Sequence, residues 1–272
     1  MFDIPSRTAA PLAILFLLLA AVAQRLAAAE PSFDCGTATT ARELATCADV
    51  RIAAADRGLA AAWQNAIAHV DPATVKALRA DQKKFLEELD NGFEGDVWGK
   101  RDPPEGKELR AQIARMRRGG DFDALADLEA QLNERIVFLR NLTPATSYAG
   151  LWKNHDFELL IMPAGDGARY RAMFGMTTFG WAKYQCHFTA EFAASEKGLA
   201  ASAAHNTDLD EDSASTLFMV RSGAMLTLTE DFPDNADDAN LPRVCPHGAD
   251  FRDPLFHTGL EPNQAYRLKP DD

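Results

Sequence analysis

Apolar positions along the first half of the chain recur at helical spacing. Ile52, Leu59, Trp63, Ile67 and Val70 share one face between Asp49 and Val70, among many alanines. Asp71-Pro72 then reads as a turn and helix start, because proline is tolerated in a helix's first turn. Val75, Leu78, Phe85 and Leu89 continue a second amphipathic helix to Asp90, and Asn91-Gly92 is expected to stop it. Asn91 to Gly106 reads as a loop around Trp98. Leu109, Ile113 and Met116 mark a third helix ending at Gly119-Gly120. A fourth begins at Asp121 and runs through Phe122, Leu125, Leu128, Leu132, Ile136 and Leu139. Short turns between such helices imply an antiparallel bundle.

The period changes after Pro144. Gly150–Trp152, Phe157–Ile161, Ala168–Phe174, Tyr184–Phe188, Ser215–Val220 and Met225–Thr229 are short runs, several alternating polar with apolar, separated by Gly, Pro or Asp clusters. They predict an antiparallel barrel or sandwich. The fold class is therefore α+β: a helical bundle over 30–143, a β-barrel-like domain over 148–260, and a loosely held polar tail over 261–272.

The first 29 residues read as a signal peptide. Leu12 to Val22 is an apolar run too short to span a bilayer, and Ala27-Ala28-Ala29 offers small residues for cleavage before Glu30. No other stretch is long and apolar enough to cross a membrane. The expected location is the periplasm or the medium. Four cysteines follow in the mature chain: Cys35, Cys47, Cys186 and Cys245. An even number in an exported protein reads as disulfides, with three possible pairings. Cys35–Cys47 with Cys186–Cys245 keeps each bridge within its own half. On chain-entropy grounds these would contribute roughly 3 and 4 kcal/mol. The rival is a metal site from Cys186-His187 and Cys245-Pro246-His247. It is disfavoured because adjacent Cys and His do not easily aim at one ion, and thiols oxidise in that compartment. The reading therefore carries no metal and no cofactor.

Net charge over the 272 residues is −12, concentrated in the second half, with acids gathered at Asp208–Asp212 and at Asp234, Asp237 and Asp238. No basic stripe exists to neutralise phosphates, so no nucleic-acid partner is expected. A basic protein suits this surface, although acidity also simply aids solubility. Asp208, Asp210 and Asp212 begin like a calcium loop, but Ser213 replaces its glycine and Met219 its closing glutamate. The six histidines are scattered: His69 ends a helix, and His155, His205 and His257 sit near turns or strand ends. Nucleophile-elbow, zinc-protease and phosphate-loop motifs are all missing, so the chain reads as no enzyme.

Phe33-Asp34-Cys35, Cys47-Ala48-Asp49, Asp56-Arg57 with Leu59, Trp63, Gln82 with Phe85, Asp90 and Arg135-Ile136 together carry a resemblance. The region from Phe33 to about Leu142 resembles the N-terminal domain of the LprI-type lysozyme inhibitor family. Family members usually carry a second cysteine pair; this chain has Gly92 near one of those positions and no cysteine between Ala48 and Gln185. Leu89 also stands where an arginine is common, and the segment Phe93 to Arg101 is longer. The resemblance implies a disulfide-clipped helical domain and a lysozyme-type muramidase, or another basic envelope protein, as partner. Asp166-Gly167-Ala168-Arg169-Tyr170 is also similar to the Ser-Gly-x-x-Tyr loop of membrane-bound C-type lysozyme inhibitors, although an ordinary hairpin turn explains it as well. The candidate partner contacts are Trp98, Lys100 and Arg101 in the first half and Arg169 and Tyr170 in the second, since aromatic and Arg anchors dominate interfaces. The alternative function is a barrel that carries a small apolar ligand, lined by residues such as Trp152, Phe157, Phe174 and Phe218, with the helices as a dock.

Overall fold

The computed structural model describes residues 30–98, 123–165, 168–176, 187–207, 210–213, 215–231 and 253–259, with isolated positions between 108 and 116. Among the described residues, four helices of defined extent precede a closed barrel. Helix α1 spans Ala41–Ala48, α2 Val50–Ala68, α3 Pro72–Trp98 and α4 Asp123–Asn141. Among the described residues no helix is long and apolar enough to cross a membrane.

Capping chemistry sets the first boundaries. Thr40 opens α1 with a capping box: the Glu43 amide donates to Thr40 Oγ1, and Glu43 accepts from the Thr40 amide. Burial alone would raise the Glu43 pKa, but the Thr39 and Thr40 amides it accepts from bring it below the ordinary value. Asp49 takes extended backbone and caps α2 through the Arg51 amide, so the run that reads as one helix from Asp49 is preceded by a separate short one. Asp71 does the same for α3, accepting from the Ala73 and Thr74 amides. The Cys35–Cys47 disulfide is formed, with Cα atoms 5.8 Å apart, and ties the N-terminal segment to α1.

Asn91-Gly92 does not stop α3. The apolar series Leu78, Phe85, Leu89 continues to Phe93, which is 4% exposed, so burial of that ring holds the helix together through the glycine. Trp98 is the last residue of α3, and Lys100 and Arg101 lie outside the described residues. In the third predicted helix, Glu108, Ala111, Gln112, Ala114, Arg115 and Met116 are helical. The core of the bundle includes Ile52, Leu59, Leu78, Phe85, Leu125, Leu132 and Leu139.

The strands are β1 (Gly150–Lys153), β2 (Phe157–Ala164), β3 (Arg169–Met176), β4 (His187–Ser195), β5 (Gly198–Ala201), β6 (Ala204–Asn206), β7 (Glu211–Asp212), β8 (Thr216–Ser222), β9 (Met225–Asp231) and β10 (Leu255–His257). All pairings are antiparallel. The order β3-β2-β1-β10-β9-β8-β5-β4 closes on itself through β3–β4, giving an eight-stranded barrel; β5 pairs with the end of β4, β6 with its start, and β7 with β6. Alternation fixes the register: Leu217 and Met219 point inward, and Phe218 lies between them on the outer wall beneath the Lys197 ammonium. Phe218 therefore does not line the interior as the carrier reading expects. Trp152, Phe157, Phe174, Phe188 and Phe192 belong to one buried barrel core, with Phe174 stacked on Phe188 at a centroid distance of 4.6 Å.

Helices and barrel are packed against each other. Phe256 of β10 belongs to the helical core, edge-on to Phe138 of α4 at 6.2 Å. Arg221 donates to the Ala145 carbonyl, and the Ala145 amide donates to the carbonyl of Gly223.

Candidate functional site

The β1–β2 turn inserts a polar cluster between barrel and helices. Asn154, fully buried, accepts from the amides of Asp156 and Phe157 and so folds the turn back on itself. That geometry places His155 at the tip, 3% exposed, against α3. Asp81 of α3 receives it twice on one oxygen: the His155 amide donates to Oδ1 at 2.9 Å, and ring Nδ1 is 2.7 Å away. The other Asp81 oxygen accepts from Arg135 Nη2 of α4 at 2.6 Å, and Arg135 Nε donates to Gln82 Oε1 at 2.9 Å. The Arg135 guanidinium also lies over the Phe85 and Phe138 rings, 5.0 and 4.5 Å from their centroids.

On its far side the imidazole meets two more carboxylates. Nε2 is 3.0 Å from Asp156 Oδ2 and 3.3 Å from Glu88 Oε1, two turns along the same face of α3 from Asp81. Burial on its own lowers the His155 pKa. Hydrogen bonds to Asp156, Asp81 and Glu88 overcome it and raise the value to about 11. Burial likewise opposes ionisation of Asp81, but the Arg135 charge and the His155 contacts hold its pKa below the ordinary carboxylate value. Beside this group Lys153 joins Glu134 at 2.7 Å and Glu158 at 2.8 Å. Burial there would lower the lysine pKa, and the two carboxylates raise it.

An imidazolium held by three carboxylates is a poor general base near neutrality, because its proton is bound too firmly to exchange with a substrate. What the arrangement does is join three elements, α3, α4 and the β1–β2 turn, through ionic hydrogen bonds. His155 has no signal in the sequence beyond its place in a polar turn. Its burial comes from a helix more than seventy residues earlier in the chain.

A second feature is an open groove of about 380 Å³ on the helical module, lined by Phe33, Arg42, Asp56, Trp63, Gln82 and Leu86 among others. Asp56 accepts from the Ser32 amide at 2.6 Å, and Arg42 pairs with Asp90 at 2.7 Å, so two of the lining side chains are held in place. Phe33 and Trp63 remain partly exposed along it.

The sequence-nominated contacts are divided by the structure. Arg169 and Tyr170 open β3, and strand parity sends them apart. The Arg169 guanidinium is 58% exposed and 4.0 Å from Glu191, whereas the Tyr170 ring packs on the barrel core with Tyr148, centroids 5.9 Å apart. Asp166 and Gly167, Lys100 and Arg101, and Cys186 and Cys245 all lie outside the described residues. Asp208 does too, while Asp210 and Asp212 flank His205 at 3.5 and 3.1 Å. A depression of about 580 Å³ on the barrel runs past Arg171, Glu191, His205 and Asp212. His69 caps α2, its Nδ1 2.7 Å from the Asn65 carbonyl. No protein-family model, curated protein or solved structure matches this chain.

Proposed function

We propose that the chain is an exported binding protein, periplasmic or secreted, that engages a basic lysozyme-type muramidase and blocks its cleft. The observation that carries this reading is the groove on the helical module. Its lining unites Phe33, Asp56, Trp63 and Gln82, which the family resemblance singles out, at a surface a partner can reach. Aromatic faces beside carboxylates suit a cationic side chain, through cation–π contact and charge pairing. The net charge of −12 favours encounter with a basic partner and makes that encounter sensitive to salt. Blocking the cleft itself needs a cation or hydrogen-bond donor against the enzyme's carboxylates, for which Lys100, Arg101 and the exposed Arg169 are the candidates.

The test is binding of the oxidised mature protein to C-type, G-type and I-type lysozymes at two salt concentrations, with lysis followed in parallel. Tight, salt-sensitive binding with lost lysis is the expected result. Ala60→Arg, which sends a long cation into the groove from α2, should abolish binding while the protein stays folded. Replacing Trp98, Lys100 and Arg101 together by Ala should relieve inhibition. Binding to none of the three lysozymes at low salt would overturn the proposal.

A further inference from the structure

We propose that Glu88, His155 and Asp156 form a binding site for a divalent cation of the zinc class, set where the β1–β2 turn meets α3. One donor atom from each residue lies within 4.8 Å of the other two. His155 Nε2, at 3.0 and 3.3 Å from the two carboxylate oxygens, already has nearly the spacing of neighbouring ligands on one ion. Zinc bonds of about 2.1 Å at tetrahedral angles put ligand atoms roughly 3.4 Å apart. Glu88 and Asp156 are 38% and 28% exposed, so their side chains can adjust by the remaining fraction of an ångström and an ion has a path in.

The ring is held for this task rather than merely located near it. Asp81 Oδ1 fixes Nδ1, the arrangement in which a carboxylate orients a metal-binding histidine and strengthens its other nitrogen as a donor. Asp81 is itself fixed by Arg135, so the orientation does not depend on the ion. Charge also favours occupancy. Around the His155 imidazolium stand Asp81, Glu88 and Asp156 against Arg135, an excess of one negative charge, while Lys153 is shared between Glu134 and Glu158. A dication taking the place of the Nε2 proton cancels that excess. On binding, one metal–Nε2 bond replaces the Nε2–H bond, and the proton leaves to solvent. One nitrogen with two oxygens matches zinc better than calcium or magnesium, which prefer all-oxygen shells. Three protein ligands leave a coordination position for water or for a carboxylate of a partner.

The site is tested by equilibrium dialysis of the full oxidised chain against Zn²⁺, with the visible absorption of Co²⁺ as a second probe. Wild type should take up a single tightly held ion, and its Co²⁺ spectrum should be that of nitrogen and oxygen ligands. His155 variants are expected to disturb folding. The decisive variant is therefore Glu88→Gln with Asp156→Asn, which keeps shape and hydrogen bonding while removing both anionic ligands. It should lose roughly 100-fold or more in Zn²⁺ affinity with its fold intact. His205→Ala, which removes the exposed ring between Asp210 and Asp212, should bind as wild type does. No Zn²⁺ uptake by wild type would overturn the proposal. So would undiminished uptake by the double variant, or a Co²⁺ spectrum dominated by thiolate, which would assign the ion to cysteines instead.

Discussion

Arg135 and Asp81 form an ion pair at 2.6 Å with side chains only 3% and 4% exposed, and neither belongs to the element that needs them most. The pair bridges α4 and α3, yet its free capacity is spent on the β1–β2 turn of the barrel, through His155. Removing Arg135 would leave Asp81 buried with one cationic partner rather than two. Breaking a buried pair from one side typically costs about 3–5 kcal/mol, far more than a surface pair. Arg135→Met is therefore expected to lose that much stability in urea denaturation. Adding Asp81→Leu should recover part of the loss, because the uncompensated charge goes with it. Equal stabilities for wild type and Arg135→Met would show that the pair is no more than a surface contact.

The His155 cluster should shape the pH dependence of stability. Its imidazole has a folded-state pKa near 11 against an ordinary value of 6.5. A raised folded-state pKa adds stability that is fully present below about pH 6.5 and lost as pH climbs toward 11. Asp81 works in the opposite sense. Its pKa is held below 3.8, so its contribution is present above that value and disappears as pH falls beneath it. With both proteins kept metal-free by chelator, the Tm difference between wild type and His155→Gln is thus expected to be largest at mildly acid pH and to shrink through the alkaline range. A difference that instead grew from pH 7 to pH 10 would refute this assignment.

Much of the architecture was legible because it depends on local pattern. Period and turn residues give α2, α3, α4 and the change to strands at Gly150, whereas the eight-residue α1 carries too little periodicity to be read, and Cys35–Cys47 pairs as the favoured arrangement has it. The barrel-closing elements were harder. β5 and β10 have four and three residues, too few for alternation to register, and β10 is recruited by pairing with β1 and β9. The continuation of α3 past Gly92 depends on a buried site for Phe93 that only tertiary packing supplies. The charged hub is the clearest limit. Asp81, Arg135 and His155 look like three ordinary polar residues until two helices and a hairpin bring them together.

Reduction of Cys35–Cys47 should act locally. The bridge closes a separation of 12 residues, for which chain entropy gives about 3 kcal/mol. Its loss frees the segment from Glu30 to Thr39, which otherwise contacts α2 through Ser32 with Asp56 and Glu30 with Arg57. The substitution of both cysteines by Ala is expected to raise hydrogen exchange over that segment and the start of α1. Exchange in the barrel strands should change only through the lower global stability. If the groove anchors a muramidase, the same variant should also bind more weakly, since Phe33 lies on the freed segment.

Two glycines should respond to alanine in opposite directions. Gly198 opens β5 with φ of +124°, and a Cβ there would stand 2.4 Å from the Met219 carbonyl oxygen, on the neighbouring strand. Backbone strain and overlap with backbone both oppose the methyl group, and neither can be relieved by rotating a side chain. Gly198→Ala is expected to destabilise by at least about 2 kcal/mol and to loosen β5 from β8. Gly92 lies inside α3, and a Cβ there would meet nothing within 4 Å. Alanine at an open helical position gains close to 1 kcal/mol over glycine, so Gly92→Ala should raise Tm. A fall in Tm for Gly92→Ala would mean that α3 is broken at Asn91-Gly92 in solution, as the sequence alone suggests. Thermal melts of the two variants beside wild type therefore decide whether α3 runs unbroken to Trp98.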